Sequence, residues 1–298
     1  MILVSGATGF VGGHLLPRLL SRAREVIVLT RDAGRARRRL GQPVRIVTDT
    51  EAIDPATDID AIVNLAGAPI LAFPWTRRRR AQLIDSRVVT TRALVELAAR
   101  LAKPPRVLVS ASAIGYYGVR GDEPIDEDAG PGTGFQSQLC QQWEAAADTG
   151  VGVGMRVVKV RTGLVLGRDG GALPQLARPQ RLGLGAVLGS GSQWMSWIHV
   201  EDLVRLFELA LDNPGVRGAV NAVAPVPVTH REMQRAIAHT LHRPLWLRMP
   251  AFAVRAGLGE MAQLLVDGQR VMPNRALALG FEFRFPQATG ALVDLLGR

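Results

Sequence analysis

Met1-Ile-Leu-Val-Ser-Gly6-Ala-Thr8-Gly9-Phe10-Val11-Gly12 is the stretch whose reading decides the fold. Residues 2–5 are an apolar run of strand length, glycines follow at 6, 9 and 12, and an apolar helix pattern covers residues 14–21. A glycine triplet means little alone, but set between a strand and a helix it reads as a dinucleotide fingerprint. Gly6 suits the tight turn, Gly9 lets a pyrophosphate approach the backbone, and Gly12 lets the helix pack close to the strand. The phosphates then rest on the helix N-terminus, where free N–H groups and the helix dipole favour negative charge. The competing reading, a glycine-rich turn without a ligand, fits this strand–turn–helix context less well.

Working outward, the second strand reads Glu25-Val-Ile-Val-Leu-Thr30, with Arg31 directly behind it. An NAD site carries an Asp or Glu near this point for the ribose hydroxyls, whereas a 2′-phosphate is met by Arg. Thr30 and Arg31 therefore point to NADP(H) ahead of NAD(H); Arg37, Arg38 and Arg39 read as a solvated helix face. Further strands are expected at 44–47, 61–65, 106–110 and 155–160, with long helical patterns at 77–101 and 136–148. Near-continuous apolar strands separated by helices predict an α/β chain with a Rossmann-like, doubly wound parallel sheet. Its ligand crevice should lie at the C-terminal strand ends. Asn64-Leu65-Ala66-Gly67 and Ser110-Ala-Ser112 fall there as well.

Beyond Gly163 the pattern changes. Residues 167–191 are rich in glycine and proline and read as a substrate-side excursion, after which Trp197-Ile-His-Val-Glu-Asp202 leads into a helix through Leu211. A helix at 229–241, a strand-like 244–247 and helices from Ala251 suggest a small C-terminal substrate lobe. The expected division is an NADP(H)-binding domain of residues 1–163 and 193–224, with a substrate lobe of 164–192 and 225–298.

With 298 residues, 47% of them hydrophobic, the chain has ample material for a core. Cys140 is the single cysteine, which excludes an internal disulfide framework and fits a reducing cytoplasm. The opening strand does not resemble a signal peptide, and no apolar run is long enough to span a bilayer. No His/Cys cluster has metal-ligand spacing. A net charge of +10 raises the question of nucleic acid, but arginine has replaced lysine almost everywhere, leaving only Lys103 and Lys159. Arg77-Arg-Arg-Arg80 opens a helix with no aromatic interleaving, so a solvated face accounts for it better than a nucleic-acid surface.

Taken together, several landmarks resemble the YfcH-like group of atypical extended short-chain dehydrogenase/reductases, the NAD(P)-dependent epimerases, across essentially the whole chain. They are the Gly6–Gly12 loop, Asn64 to Gly67, Ser86-Arg87, Ser110-Ala-Ser-Ala-Ile-Gly-Tyr-Tyr-Gly118, Cys140-Gln-Gln-Trp-Glu144, Arg161-Thr-Gly-Leu-Val-Leu-Gly167, Ser196-Trp-Ile-His-Val200 and Asn221-Ala-Val-Ala-Pro225. Pro74 and Gln180 depart from the pattern. The resemblance implies an NADP(H) site drawn from Gly6, Thr8, Gly9, Phe10, Val11, Gly12, Thr30, Arg31, Leu65, Ala66, Gly67, Arg87, Ser110, Gly163, Leu164 and Val165. It leaves a homodimer open, through helices 77–101 and 136–148.

Chemistry in that superfamily rests on Ser, Tyr and Lys, and here the chain departs from it. Ser112 matches the Ser, but the Tyr-x-x-x-Lys pair falls on Gln136 and Cys140 when Glu144 sets the register. The only tyrosines are Tyr116 and Tyr117, and neither lysine follows four residues after either. A replacement proton donor is expected at Tyr116 or Tyr117, with Arg87 supplying positive charge; packing of the loop is the alternative role for both tyrosines. Cys140 reads either as a weak acid or as a small buried apolar residue. Trp194, Trp197 and His199 are expected to shape a substrate pocket, although a His in this setting also anchors loops. Met195 replaces an arginine that binds phosphate in nucleotide-sugar enzymes, which argues against such a substrate. The expected function is an NADP(H)-dependent oxidoreductase or epimerase acting on a small hydroxyl/carbonyl compound. The alternative is a non-catalytic NADP(H)-binding regulator.

Overall fold

Strand β1 (Ile2–Ser5) shows why the sheet is covered on both faces. Alternate side chains of a strand point to opposite faces. Ile2 and Val4 join one apolar cluster with Leu15, Leu16 and Phe207, whereas Leu3 joins another with Ile62, Leu94 and Leu97. The computed structural model describes residues 1–22, 24–41, 43–70 and 75–297. The other strands of this sheet are β2 (Val26–Leu29), β3 (Arg45–Val47), β4 (Ala61–Asn64), β5 (Val107–Ala113), β6 (Arg156–Thr162) and β7 (Gly218–Ala222). Among the described residues these seven form one parallel sheet in the order β7-β6-β5-β4-β1-β2-β3. That is the dinucleotide-fold order 3-2-1-4-5-6 with a seventh strand added at the β6 edge.

Helices α1 (Phe10–Ser21) and α2 (Ala33–Leu40) follow β1 and β2, and α3 (Arg77–Arg100) and α4 (Phe135–Asp148) pack on each other beside β5. Helix α1 starts four residues earlier than the apolar pattern suggests. Glycine disfavours helix, but Gly12 sits so close to Gly6 and Ala7 that a side chain there would enter their backbone, and this contact overrides propensity. Strand β5 runs to Ala113, past the expected end at residue 110, so Ser110 and Ser112 pair with Lys159 and Arg161 of β6.

The segment 167–191 is more ordered than its glycines suggested. It carries α5 (Leu173–Arg181) and a strand, Ala186–Leu188, parallel to Leu247–Met249. Strand Trp197–His199 pairs with Leu164–Leu166 and leads directly into α6 (Val200–Asp212). Helix α7 (His230–Thr240) begins at a capping box made by Thr229 and Glu232. An apolar cluster built on Trp197, Leu173, Met233, Ile237 and Leu292 joins α5, α7 and the helix Ala288–Leu296. None of the helices described is long and apolar enough to cross a membrane.

Candidate active site

The first turn after β1 is built from backbone. Gly6 has φ +73°, and a Cβ there would lie 2.5 Å from the Leu65 carbonyl carbon. Leu65 N–H donates to the Ser5 carbonyl, and the Ser5 hydroxyl donates to Asn64 Oδ1 at 2.6 Å. Asn64 in turn donates to Thr91 at 2.8 Å and accepts from the Ala66 N–H at 3.2 Å. The loops after β1 and β4 are thus locked side by side, with Ser110, itself buried, receiving a longer bond from Asn64. Gly9 is exposed and caps α1. Thr8, Phe10 and Val11 follow the C-terminal end of β1, Leu65, Ala66 and Gly67 that of β4, and Gly163, Leu164 and Val165 that of β6.

Arg31, exposed at the end of β2, stands beyond Thr30. The acid closest in sequence, Asp32, accepts from the Arg35 N–H at 2.8 Å and caps α2. Its carboxylate thus has a local structural role.

A cavity of about 320 Å³ opens at the ends of β5 and β6, lined by Ala113, Gly115, Gly163 and Leu164 among others. Gln136 and Cys140, the positions of the absent Tyr–Lys pair, line it from α4. Burial pushes the Cys140 thiol up to about 12, with Glu144 adding to the shift, so it stays protonated at neutral pH. Arg87 lines the cavity from α3 and donates to the carbonyls of Leu83 and Ala68, each at 3.0 Å. Its guanidinium lies 5.2 Å from the centre of the Trp143 ring. Burial lowers the Arg87 pKa, Cys140 opposes that shift, and Arg79 reinforces it; no carboxylate contributes.

Other expectations for the catalytic residues are corrected by a buried network behind this wall. The Ser112 hydroxyl donates to Glu144 Oε1 at 2.7 Å, and Arg161 clasps both Glu144 oxygens at 2.9 Å. Arg161 also donates to the Tyr117 hydroxyl at 2.9 Å, which in turn donates a hydrogen bond to Asn221 Oδ1 at 2.7 Å. Neither Ser112, Tyr116 nor Tyr117 lines the cavity. Tyr117 is fully buried, which pushes its phenol up to about 12 despite Arg161. The Tyr116 ring lies against the Arg161 guanidinium, 3.5 Å from ring centre to Cζ. Arg161 is the cause of this arrangement. Burial opposes its charge, but the bonds to Glu144 and Tyr117 outweigh that and raise its pKa. A buried cation requires a carboxylate and further polar partners; here Glu144 and Tyr117 serve Arg161, and Ser112 is held by Glu144.

The expected pocket trio divides. Trp194 lines the cavity and donates to Asp122 at 2.7 Å. Trp197 is fully buried in the cluster between α5 and α7, donating to the Val226 carbonyl. His199 caps α6 through Nδ1, stacks on Phe285 at 3.9 Å and lies 3.3 Å from Asp294. Trp197 and His199 therefore hold the fold together. Gln180 is buried and ties α5 to the Pro244 carbonyl at 2.8 Å; Pro74 lies outside the described residues.

Three cavity residues escaped the sequence reading. Trp143 Nε1, Gln193 Oε1 and both ring nitrogens of His230 are buried without a hydrogen-bond partner among the described residues. His230 is 2% exposed, and burial pulls its pKa down to about 4. A His at the first position of an apolar helix, two residues before the capping Glu232, was the available signal.

Strand order and a glycine turn packed under the helix N-terminus define a Rossmann-type dinucleotide-binding architecture. Residues 2–222 match the NAD dependent epimerase/dehydratase family, and the chain belongs to that family. Residues 249–295 match a domain of unknown function, DUF1731. The chloroplastic SDR39U1 homolog of Arabidopsis thaliana, an epimerase family protein, is 39% identical over 297 residues, covering 98% of this chain and 85% of its own length. The epimerase family protein YfhF of Bacillus subtilis is 34% identical, covering 99% of this chain and 97% of its own. The human epimerase family protein SDR39U1, crystallised with NADPH, matches with a TM-score of 0.89 and 36% identity, over 99% of this chain and 98% of that one.

Proposed function

We propose that this chain is an NADP(H)-dependent oxidoreductase or epimerase acting on a small hydroxyl/carbonyl compound. The observation that carries the reading is a cavity at the C-terminal ends of β5 and β6, with the half-buried Arg87 in its wall bound to backbone carbonyls and, among the described residues, to no carboxylate. The cradle fits a dinucleotide: no side chain can be added at Gly6 or Gly12, while Gly9 is open to an approaching pyrophosphate. In this reading the first-turn N–H groups of α1 hold the phosphates, Arg31 takes the 2′-phosphate, and residues 65–67 with 163–165 flank the nicotinamide half. Crystallisation of human SDR39U1 with NADPH supports the choice of cofactor.

The bound nicotinamide supplies or accepts hydride. Arg87 stabilises negative charge developing on the substrate oxygen, an electrostatic role, since a guanidinium does not give up its proton near neutral pH. Gln136 and Cys140 border the same space, and the Cys140 thiol, held protonated, is the proton source nearest the position of the missing Tyr–Lys pair. Residues 164–192 and 225–298 act as the substrate-side lobe. A regulator that catalyses nothing is less favoured, because it has no use for a cavity with unpartnered polar groups beside the cofactor edge. Calorimetric titration with NADPH, NADP⁺ and NADH tests the reading. NADPH is expected to bind tightly, and Arg31→Ala to weaken NADPH by about tenfold or more while leaving NADH unchanged. Absence of binding by all three would overturn it.

A further inference from the structure

A buried polar atom without a partner costs free energy, and this chain gathers several around one space. Trp143 Nε1 is buried without a partner among the described residues, Arg87 lies over the same ring at 5.2 Å, and both residues line the cavity from α4 and α3. Another wall holds Gln193 and His230, joined by the bond from the His230 N–H to the Gln193 carbonyl at 2.9 Å. The orientation of the Gln193 amide is fixed, because its Nε2 donates to Leu188 at 3.1 Å and Leu265 at 2.8 Å. Its Oε1 is therefore an acceptor with nothing to accept among the described residues. The neutral His230 ring adds one donor and one acceptor. A donor and acceptors set together suit a hydroxyl, which can give and receive at once; a carbonyl can only receive.

Charge narrows the choice further. Among the described residues Arg87 has no carboxylate partner, whereas the acidic residue in the lining, Asp267, is paired with Arg255 at 2.9 Å. A pyrophosphate brings more negative charge than one such cation can balance, and Met195 offers none. The volume, about 320 Å³, is at the low end of small-molecule pockets, roughly 300–1,000 Å³.

We infer that the cavity takes a compact, mainly apolar substrate with an oxygen at each end: a carbonyl or alkoxide oxygen toward Trp143 and Arg87, and a hydroxyl held by His230 and Gln193. Placing the reaction in this cavity rests on the proposed function; the two-ended recognition does not. The probes are para-hydroxyacetophenone, acetophenone lacking the hydroxyl, and UDP-glucose, titrated calorimetrically with and without saturating NADP⁺. The phenol is expected to bind about tenfold more tightly than acetophenone, the effect of one well-placed hydrogen bond pair. His230→Leu should abolish that difference without changing acetophenone binding, His230→Gln should restore part of it, and Trp143→Phe should weaken both ketones alike. Equal affinity for the two ketones, loss of both on His230→Leu, failure of either to bind, or tighter binding of UDP-glucose would each overturn the inference. The NADP⁺ titration is read separately. If NADP⁺ does not bind but the phenol preference survives in the apoprotein, the proposed function fails and the recognition site stands.

Discussion

His230→Leu gives the sharpest test of the energetics, because the histidine is buried, titratable and unpartnered among the described residues. Its pKa is drawn from the ordinary 6.5 down to about 4, and burial is the cause. In the unfolded chain the ring takes up a proton near its ordinary pKa; in the folded chain it resists until the lower value. Between the two the unfolded state binds more protons, so stability falls as the pH falls. A gap of about 2.5 units at about 1.4 kcal/mol each comes to about 3 kcal/mol, present above the unfolded pKa and lost by about pH 4. Leucine cannot titrate and has similar bulk, and the backbone bond to Gln193 remains. Urea unfolding, followed by far-UV circular dichroism across this pH window, should show the wild type losing about 3 kcal/mol more than the variant. Contributions from His199 and the carboxylates are common to both proteins and cancel in the difference. At neutral pH the variant should equal or exceed the wild type, since an unsatisfied buried polar group costs roughly 1–3 kcal/mol. Parallel stability–pH curves would refute the reasoning by showing that the ring already has a compensating partner.

Three further outcomes follow from the packing and the buried network. Gly12→Ala should destabilise the chain by about 2 kcal/mol or more and remove NADPH binding, because the new methyl would enter the backbone of Gly6 and Ala7; thermal unfolding and calorimetry read the two effects. Glu144→Ala should cost about 3–5 kcal/mol in denaturant unfolding, since it leaves the Arg161 charge buried without its carboxylate. Tyr117→Phe should cost about 1–3 kcal/mol in denaturant unfolding while leaving turnover with NADPH unchanged on any ketone the protein reduces, whereas loss of a catalytic phenol would lower turnover.

How much could be read from the sequence follows from which groups make each contact. The cofactor edge was legible because glycines and strand ends act through the backbone. Gly6 needs its positive φ, Gly12 needs the absence of a side chain, and both requirements survive any choice of neighbours. Helix boundaries were less so: α1 reaches back to Phe10 because a tertiary contact at Gly12 outweighs local propensity. His230 escaped notice because its importance lies in what it lacks, a partner, and only the assembled cavity reveals that.

Ser112 and Tyr117 show the limit more clearly. The sequence reading placed them beyond a strand ending at residue 110, whereas β5 runs through Ser112 to Ala113 and Tyr117 lies in the turn behind it. Their function depended on a residue fifty positions away in the chain, Arg161, which β6 places beside Ser112 in register. Once a guanidinium is buried there, the lowest-energy use of every nearby oxygen is to satisfy it, and Glu144 and Tyr117 are bound to that task. Gln136 and Cys140, at the positions where the family resemblance places the tyrosine and lysine, line the cavity with an amide and a thiol. The hydroxyls of Ser112 and Tyr117 are held within the fold, whereas Arg87 and Cys140 line the cavity.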